Sequence, residues 1–246
     1  MLADLTRAFN AYSKKPFNFA WCSFVYIVLL ALFALACVGL FILYFLLASV
    51  FNKTVSAGSL STMIVSVMIA LVFLFFANGL NGALARAYRR SMGKEKTSLM
   101  AFFSDTLSRA PATFALMLTR DLIWLVLVGP VIVAYVLALQ AYAYADIAAA
   151  AYALFMTFVL HMLFTPALLS AGAYGTGMIA SLRNGFRLLR NKHVYFIGLY
   201  AVFAVVWLLS FVPLVQLATL FFAYPVAYAA MLSMMESGVR METEED

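Results

Sequence analysis

Long uncharged apolar runs, separated by short segments where charge gathers, set the layout of this chain. Residues 24–51, 63–85, 111–139 and 148–171 are each nearly free of charge. Each is long enough for a helix to cross a hydrocarbon core of about 30 Å, which takes roughly 20 residues. Residues 194–235 carry no charge at all. As one helix that stretch would measure about 63 Å, twice the core thickness, so it is expected to fold back around residues 213–216. The pattern predicts an all-α polytopic protein with six transmembrane helices, a re-entrant hairpin being the alternative for the last pair.

A second pattern precedes each pair of runs. Leu2, Leu5, Phe9 and Tyr12 recur at helical spacing, with Arg7, Asn10 and Lys14 on other faces. Leu99, Phe102, Phe103 and Leu107 form a similar stripe after Thr97 and Ser98, which suit a helix N-cap. Leu182, Phe186 and Leu189 make the third, beside a basic stripe of Arg183, Arg187 and Arg190. The three segments superpose: Leu5, Phe9 and Lys15 match Leu99, Phe103 and Arg109, then Leu182, Phe186 and Lys192. The even-numbered runs also end alike, in Phe76-Ala77-Asn78-Gly79, Phe164-Thr165-Pro166 and Phe222-Ala223-Tyr224-Pro225. The expectation is three repeats of interfacial helix plus helical hairpin, over residues 1–93, 94–178 and 179–236, such units commonly packing about an axis along the membrane normal. Residues 237–246 are expected to form a disordered acidic tail.

Composition excludes a soluble fold. Apolar residues make up 66% of the chain and charged residues 11%, against about one quarter charged in soluble domains. Mean hydropathy is +1.01. The apolar run from Phe17 is too long for a signal-peptide core, so a cleaved leader is not expected. Cys22 and Cys37 fall on one helix about 22 Å apart, beyond disulfide reach.

Lys and Arg set the expected orientation. They cluster before the first run, between the second and third, between the fourth and fifth, and after the last; the opposite side carries Lys53 alone. Excess positive charge stays on the cytoplasmic side, which places both termini there, in a multi-pass protein of the cell membrane. Lys and Arg at an anionic leaflet gain about 1 kcal/mol each, so Arg183, Arg187, Arg190 and Lys192 are candidate contacts for anionic headgroups. For the cluster from Arg86 to Lys96, pure topogenesis and headgroup contact stand equally open. Membrane anchoring accounts for the net charge of +6, leaving none to imply a nucleic acid.

Polar residues at membrane depth are the other candidates, because each is costly there. Arg120 and Asp121 fit a local intramembrane ion pair, separate partners on other helices, or a place near the cytoplasmic interface with Arg120 snorkelling outward. His161 fits a proton relay or, more plainly, a hydrogen-bonded structural role. No second ligand stands at metal spacing, since His193 lies in the basic segment. Asn78 and Asn81, interleaved with Gly79 and Gly82, fit close helix packing or the lining of a cavity. Pro130, Pro166 and Pro225 are placed to kink their helices and free carbonyls.

The last third, with its Phe186-centred basic helix, its Phe196-to-Tyr200 start and its proline-containing hairpin, resembles the closing unit of prokaryotic six-helix membrane proteins. These are the YciC-like proteins and the membrane region attached to some glycerophosphoryl diester phosphodiesterases. The first two thirds match in layout. The resemblance implies the six-helix architecture and supplies no catalytic residues; the soluble phosphodiesterase domain of some relatives is absent from this sequence.

No phosphate-binding glycine loop, nucleophile elbow, zinc-protease helix, paired cysteine motif or dinucleotide fingerprint occurs. The expectation is a non-enzymatic protein without metal or cofactor. It would engage anionic lipid, or a membrane partner or second copy of itself, at the cytoplasmic leaflet. The alternative is a transporter or channel for a small solute. A lipid-modifying enzyme ranks last, since no nucleophile, base or metal cluster can be assembled.

Overall fold

In lipid nothing outside the chain satisfies a backbone N–H or C=O, so apolar runs bond to themselves as helices. The computed structural model of the protein describes residues 2–50, 60–93, 95–139, 142, 144–209 and 213–243, and every regular element among them is helical. In chain order these are α1 (Leu2–Lys14), α2 (Pro16–Val50), α3 (Leu60–Met92), α4 (Leu99–Ala134), α5 (Ala145–Leu169), α6 (Met178–Leu209), α7 (Pro213–Ala218) and α8 (Tyr224–Thr243). Four stretches are long and apolar enough to cross a membrane: Pro16–Ser49, Leu60–Met92, Leu99–Leu137 and Ala145–Tyr174. Their outer faces leave Leu35 at 67%, Val126 at 72% and Leu137 at 79% exposure. Only hydrocarbon covers such a surface without cost. This is a membrane protein.

Several boundaries differ from the sequence reading. The second apolar run was expected to end at residue 85, but α3 continues through Arg86, Arg89 and Arg90 to Met92. The second amphipathic segment and the third run, read as separate pieces, are one helix, α4, with Pro111 inside it. The fold-back expected at residues 213–216 is instead the opening of α7, where Pro213 suits a first helical position that has no N–H bond to make. Residues 210–212 lie outside the described residues, as does Lys53. The tail expected to be disordered from residue 237 is helical as far as Thr243.

Two breaks fall at basic residues. Lys15 separates α1 from α2, because Pro16 pushes the residue before it out of the helical region. Lys192, at φ −135° and ψ 28°, interrupts α6. The side chains at both breaks turn to another helix, Lys15 to the end of α3 and Lys192 to a hydroxyl within α8. Lys15 Nζ donates to the carbonyl of Gly93, and Lys192 Nζ donates to Ser237 Oγ at 2.7 Å. Arg109 does the same without a break: its guanidinium lies against Gly175, where a Cβ would collide with it. Gly175 is left-handed, φ +73°, and ends the π-helical turn Ser170–Tyr174 by donating to Ala171 O. Cations at helix C-termini complement the unpaired carbonyls there.

The prolines act as their chemistry requires. A proline lacks the N–H that residue i−4 needs and crowds its carbonyl. π-Helical turns follow Pro130 (Tyr135–Leu139) and Pro166 (Ser170–Tyr174), and a third, Thr219–Ala223, precedes Pro225. The carbonyl four residues before Pro225 belongs to Phe221, and it accepts the Tyr12 hydroxyl at 3.0 Å. Burial pushes the Tyr12 phenol above its ordinary range.

The bundle closes on itself. α3 packs along α2 and α4, α5 along α4 and α6, and α8 along α6 and α1. α3, α5 with its π turn, and α8 also meet one another, and their contacting faces supply Leu80, Leu84, Tyr88, Leu169, Met231 and Met234 to one buried core. Small residues permit this. A Cβ on Gly172 would stand 2.8 Å from Gly82 Cα, and one on Gly79 would stand 2.5 Å from Thr106 O. Helices in lipid associate through such contact, having no hydrophobic drive toward one another.

Candidate functional site

Where α3, α5 and α8 meet, their polar residues line a cavity of about 120 Å³. α3 contributes Asn78, Asn81 and Gly82, α5 contributes His161 and Thr165, and α8 contributes Tyr224 and Tyr228. Thr113 and Met117 of α4 complete the wall with Leu168. The three even-numbered apolar runs thus each place their terminal polar motif in one chamber. Asn78 is buried and Asn81, at the rim, is exposed.

The chamber's polar atoms are partly committed. Asn78 Nδ2 donates to Leu74 O at 2.8 Å, leaving Oδ1 toward the cavity. Asn81 Oδ1 accepts from Tyr26 OH at 2.9 Å. Thr165 Oγ1 donates to His161 O at 2.6 Å. The Tyr200 hydroxyl sits 2.7 Å from His161 Nδ1. A phenol is the better donor of that pair, which assigns the imidazole proton to Nε2.

His161 borders a second cavity of about 180 Å³ with Arg120, Asp121, Trp124, Thr157 and Leu160. Arg120 binds Asp121 through Nε at 2.9 Å and a terminal nitrogen at 2.7 Å, both on Oδ1. The two side chains thus form a local ion pair. It stands three turns beyond Arg109 along α4, about 16 Å further along the helix axis. Trp124 Nε1 donates to Thr157 Oγ1 at 2.9 Å beside it. A polar lane therefore runs from Arg120 and Asp121 past His161 to Asn78 and Asn81. These five sequence candidates come together, the two cavities sharing His161.

The basic candidates lie elsewhere. Arg183, Arg187 and Arg190 are exposed on α6, with Phe186 exposed at 61% among them. Lys192 departs from the expected stripe, because the break in α6 turns it onto Ser237. The other basic residues knit the ends of the helices. Arg86 at 2.9 Å and Arg90 at 2.7 Å hold the buried carboxylate of Asp105, tying α3 to α4. Glu236 of α8 takes Arg89 at 3.5 Å and Arg7 at 3.6 Å, and Arg89 also lies 4.0 Å above the Tyr174 ring. Neither of the two readings of Arg86 and its neighbours, topogenesis or headgroup contact, foresaw these pairings.

Sequence reasoning missed Tyr26 and Tyr228, and gave Thr165, Tyr200 and Tyr224 no part in a site. The visible signal for the tyrosines was a hydroxyl-bearing aromatic inside a span rather than at its end. No protein family, curated protein or solved structure matches this chain in the comparisons made.

Proposed function

We propose that the chain crosses the cell membrane six times as three related units, with both termini cytoplasmic, and passes a small polar solute through its central chamber. The observation that carries this reading is the chamber itself: neutral polar groups from α3, α5 and α8 converge on one cavity at membrane depth. Buried polar surface in a membrane costs free energy and persists where it serves a pathway.

Recurrence supports the three units. Lys15, Arg109 and Lys192 hold equivalent positions; Lys15 and Arg109 reach the end of the second span of their own unit, at Gly93 and Gly175, while Lys192 reaches Ser237 within α8. Phe9, Phe103 and Phe186, also equivalent, are all exposed on the interfacial segments. α1 packs on α8 as the second interfacial segment packs on α3 and the third on α5. The layout agrees with the resemblance to YciC-like and related six-helix membrane proteins, which brings no reaction with it. We read the protein as non-enzymatic.

Reconstitution tests the passage. Proteoliposomes holding the protein are expected to swell faster than empty vesicles when polar solutes are added outside. Equal rates across a panel of neutral and ionic solutes would sink the reading.

A second reading has its own observation. Arg183, Arg187 and Arg190 are exposed beside the exposed Phe186, a combination suited to anionic headgroups over the acyl boundary. Replacing the three arginines by glutamine is then expected to lower co-purified anionic lipid, measured by mass spectrometry. Unchanged lipid content removes this role.

A further inference from the structure

We propose that the central chamber selects a small uncharged solute that both donates and accepts hydrogen bonds, a polyol or urea-type molecule. This names the solute class for the passage proposed above and rests on that reading.

The chamber's chemistry argues for neutrality. Its polar lining is amide, hydroxyl and imidazole, and among the described residues no carboxylate, ammonium or guanidinium lines it. The nearest intramembrane charges, Arg120 and Asp121, lie in the cavity beyond His161 and cancel each other in a two-bond ion pair. Removing an ion from water costs tens of kcal/mol in an apolar medium, and only opposite charge or dense coordination repays it. An ion entering here meets neither.

Hydrogen-bond capacity argues for a solute of mixed character. His161 Nε2–H donates, since Nδ1 is engaged by Tyr200. Asn81 Nδ2 has no protein partner among the described residues, its Oδ1 being held by Tyr26. Asn78 Oδ1 accepts, its Nδ2 being held by Leu74 O. The residues lining one space thus offer both donors and an acceptor, while Met117 and Leu168 give it apolar wall for methylene groups. Size completes the argument. A cavity of about 120 Å³ equals about four waters at roughly 30 Å³ each, the scale of a solute with four to six heavy atoms.

Full-length protein in proteoliposomes tests this by stopped-flow swelling with glycerol and with urea, alongside uptake of radiolabelled sodium and chloride. Glycerol or urea is expected to enter faster than into empty vesicles, with sodium and chloride at the empty-vesicle rate. Asn81→Leu, which replaces the rim amide with an apolar side chain, is expected to cut the neutral flux about tenfold, the scale of one lost hydrogen bond to the solute. Thr165→Val keeps the side-chain shape while removing a hydroxyl, so it serves if Asn81→Leu fails to insert; a drop of about fivefold is expected. Neutral flux untouched by the inserted variant overturns the proposal. Ion flux abolished by Asn81→Leu leaves the passage standing and overturns the solute class, as does flux of water alone. No flux of any solute overturns both.

Discussion

Replacing Gly172 by alanine tests the contact on which the chamber depends. The added Cβ would lie 2.8 Å from Gly82 Cα, 3.0 Å from Gly82 O and 3.1 Å from Ala85 Cβ, where ordinary contacts begin at 3.4 Å. Two of the three opposing atoms are backbone, so no side chain can swing away. Relief requires α3 and the π-helical turn to part by about 0.6 Å, the gap between 2.8 and 3.4 Å, and such overpacking costs about 1–3 kcal/mol. For a chain of this size each kcal/mol moves Tm by about 2–4 °C, which gives a fall of about 2–12 °C. The control is Gly39→Ala, because nothing lies within 4 Å of a Cβ there. In mid-helix that change is expected to be neutral or to stabilise by up to about 1 kcal/mol. Both variants would be melted in the same detergent by intrinsic fluorescence, so the difference between them cancels the unfolded-state reference. Gly172→Ala melting at or above Gly39→Ala would show that α3 and the π turn do not touch.

Three further outcomes are expected. Asp105→Asn weakens the charge-assisted bonds from Arg86 and Arg90 and should lower stability by about 1.5–3 kcal/mol, the upper end being discounted because both arginines are partly exposed; an unchanged Tm refutes this tie between α3 and α4. Tyr12→Phe keeps the ring packing on Phe222 and Phe19 but orphans the Phe221 carbonyl, costing about 1–3 kcal/mol and loosening residues 219–223 in hydrogen exchange; protection equal to wild type there counts against the bond. Leu2→Cys and Arg187→Cys are expected to react with an impermeant maleimide from one side of the membrane and Tyr144→Cys from the other. Labelling of the first two from opposite sides overturns the orientation.

Much of the architecture was legible because lipid imposes a simple rule. Uncharged runs of sufficient length become helices, and the prolines at 130, 166 and 225 each brought an irregular turn near where a missing N–H would put one. Asn78, Asn81 and His161 stood out because polar side chains are rare in those runs, and the structure gathers them. The partners of those residues were not legible. A span that is apolar all round has no periodicity from which to read its rotation, so nothing in the pattern says that Tyr26 faces Asn81 or Tyr200 faces His161. The continuity of α4 was hidden for a different reason. Pro111 reads as a boundary, yet the flanking turns of α4 hold the helix through it. Lys192 misled because a cation near a basic stripe reads as one of it, whereas the local backbone break decides where the side chain points.

The contact between α1 and α8 joins segments far apart in sequence: Ser233 meets Asp4 across 229 positions and Phe221 meets Tyr12 across 209, with Glu236 facing Arg7. Translation runs in one direction, so α1 exists long before the residues that satisfy it. Its docking therefore waits on the helices in between, and a fault in any of them leaves Asp4, Arg7 and Tyr12 without these bonds.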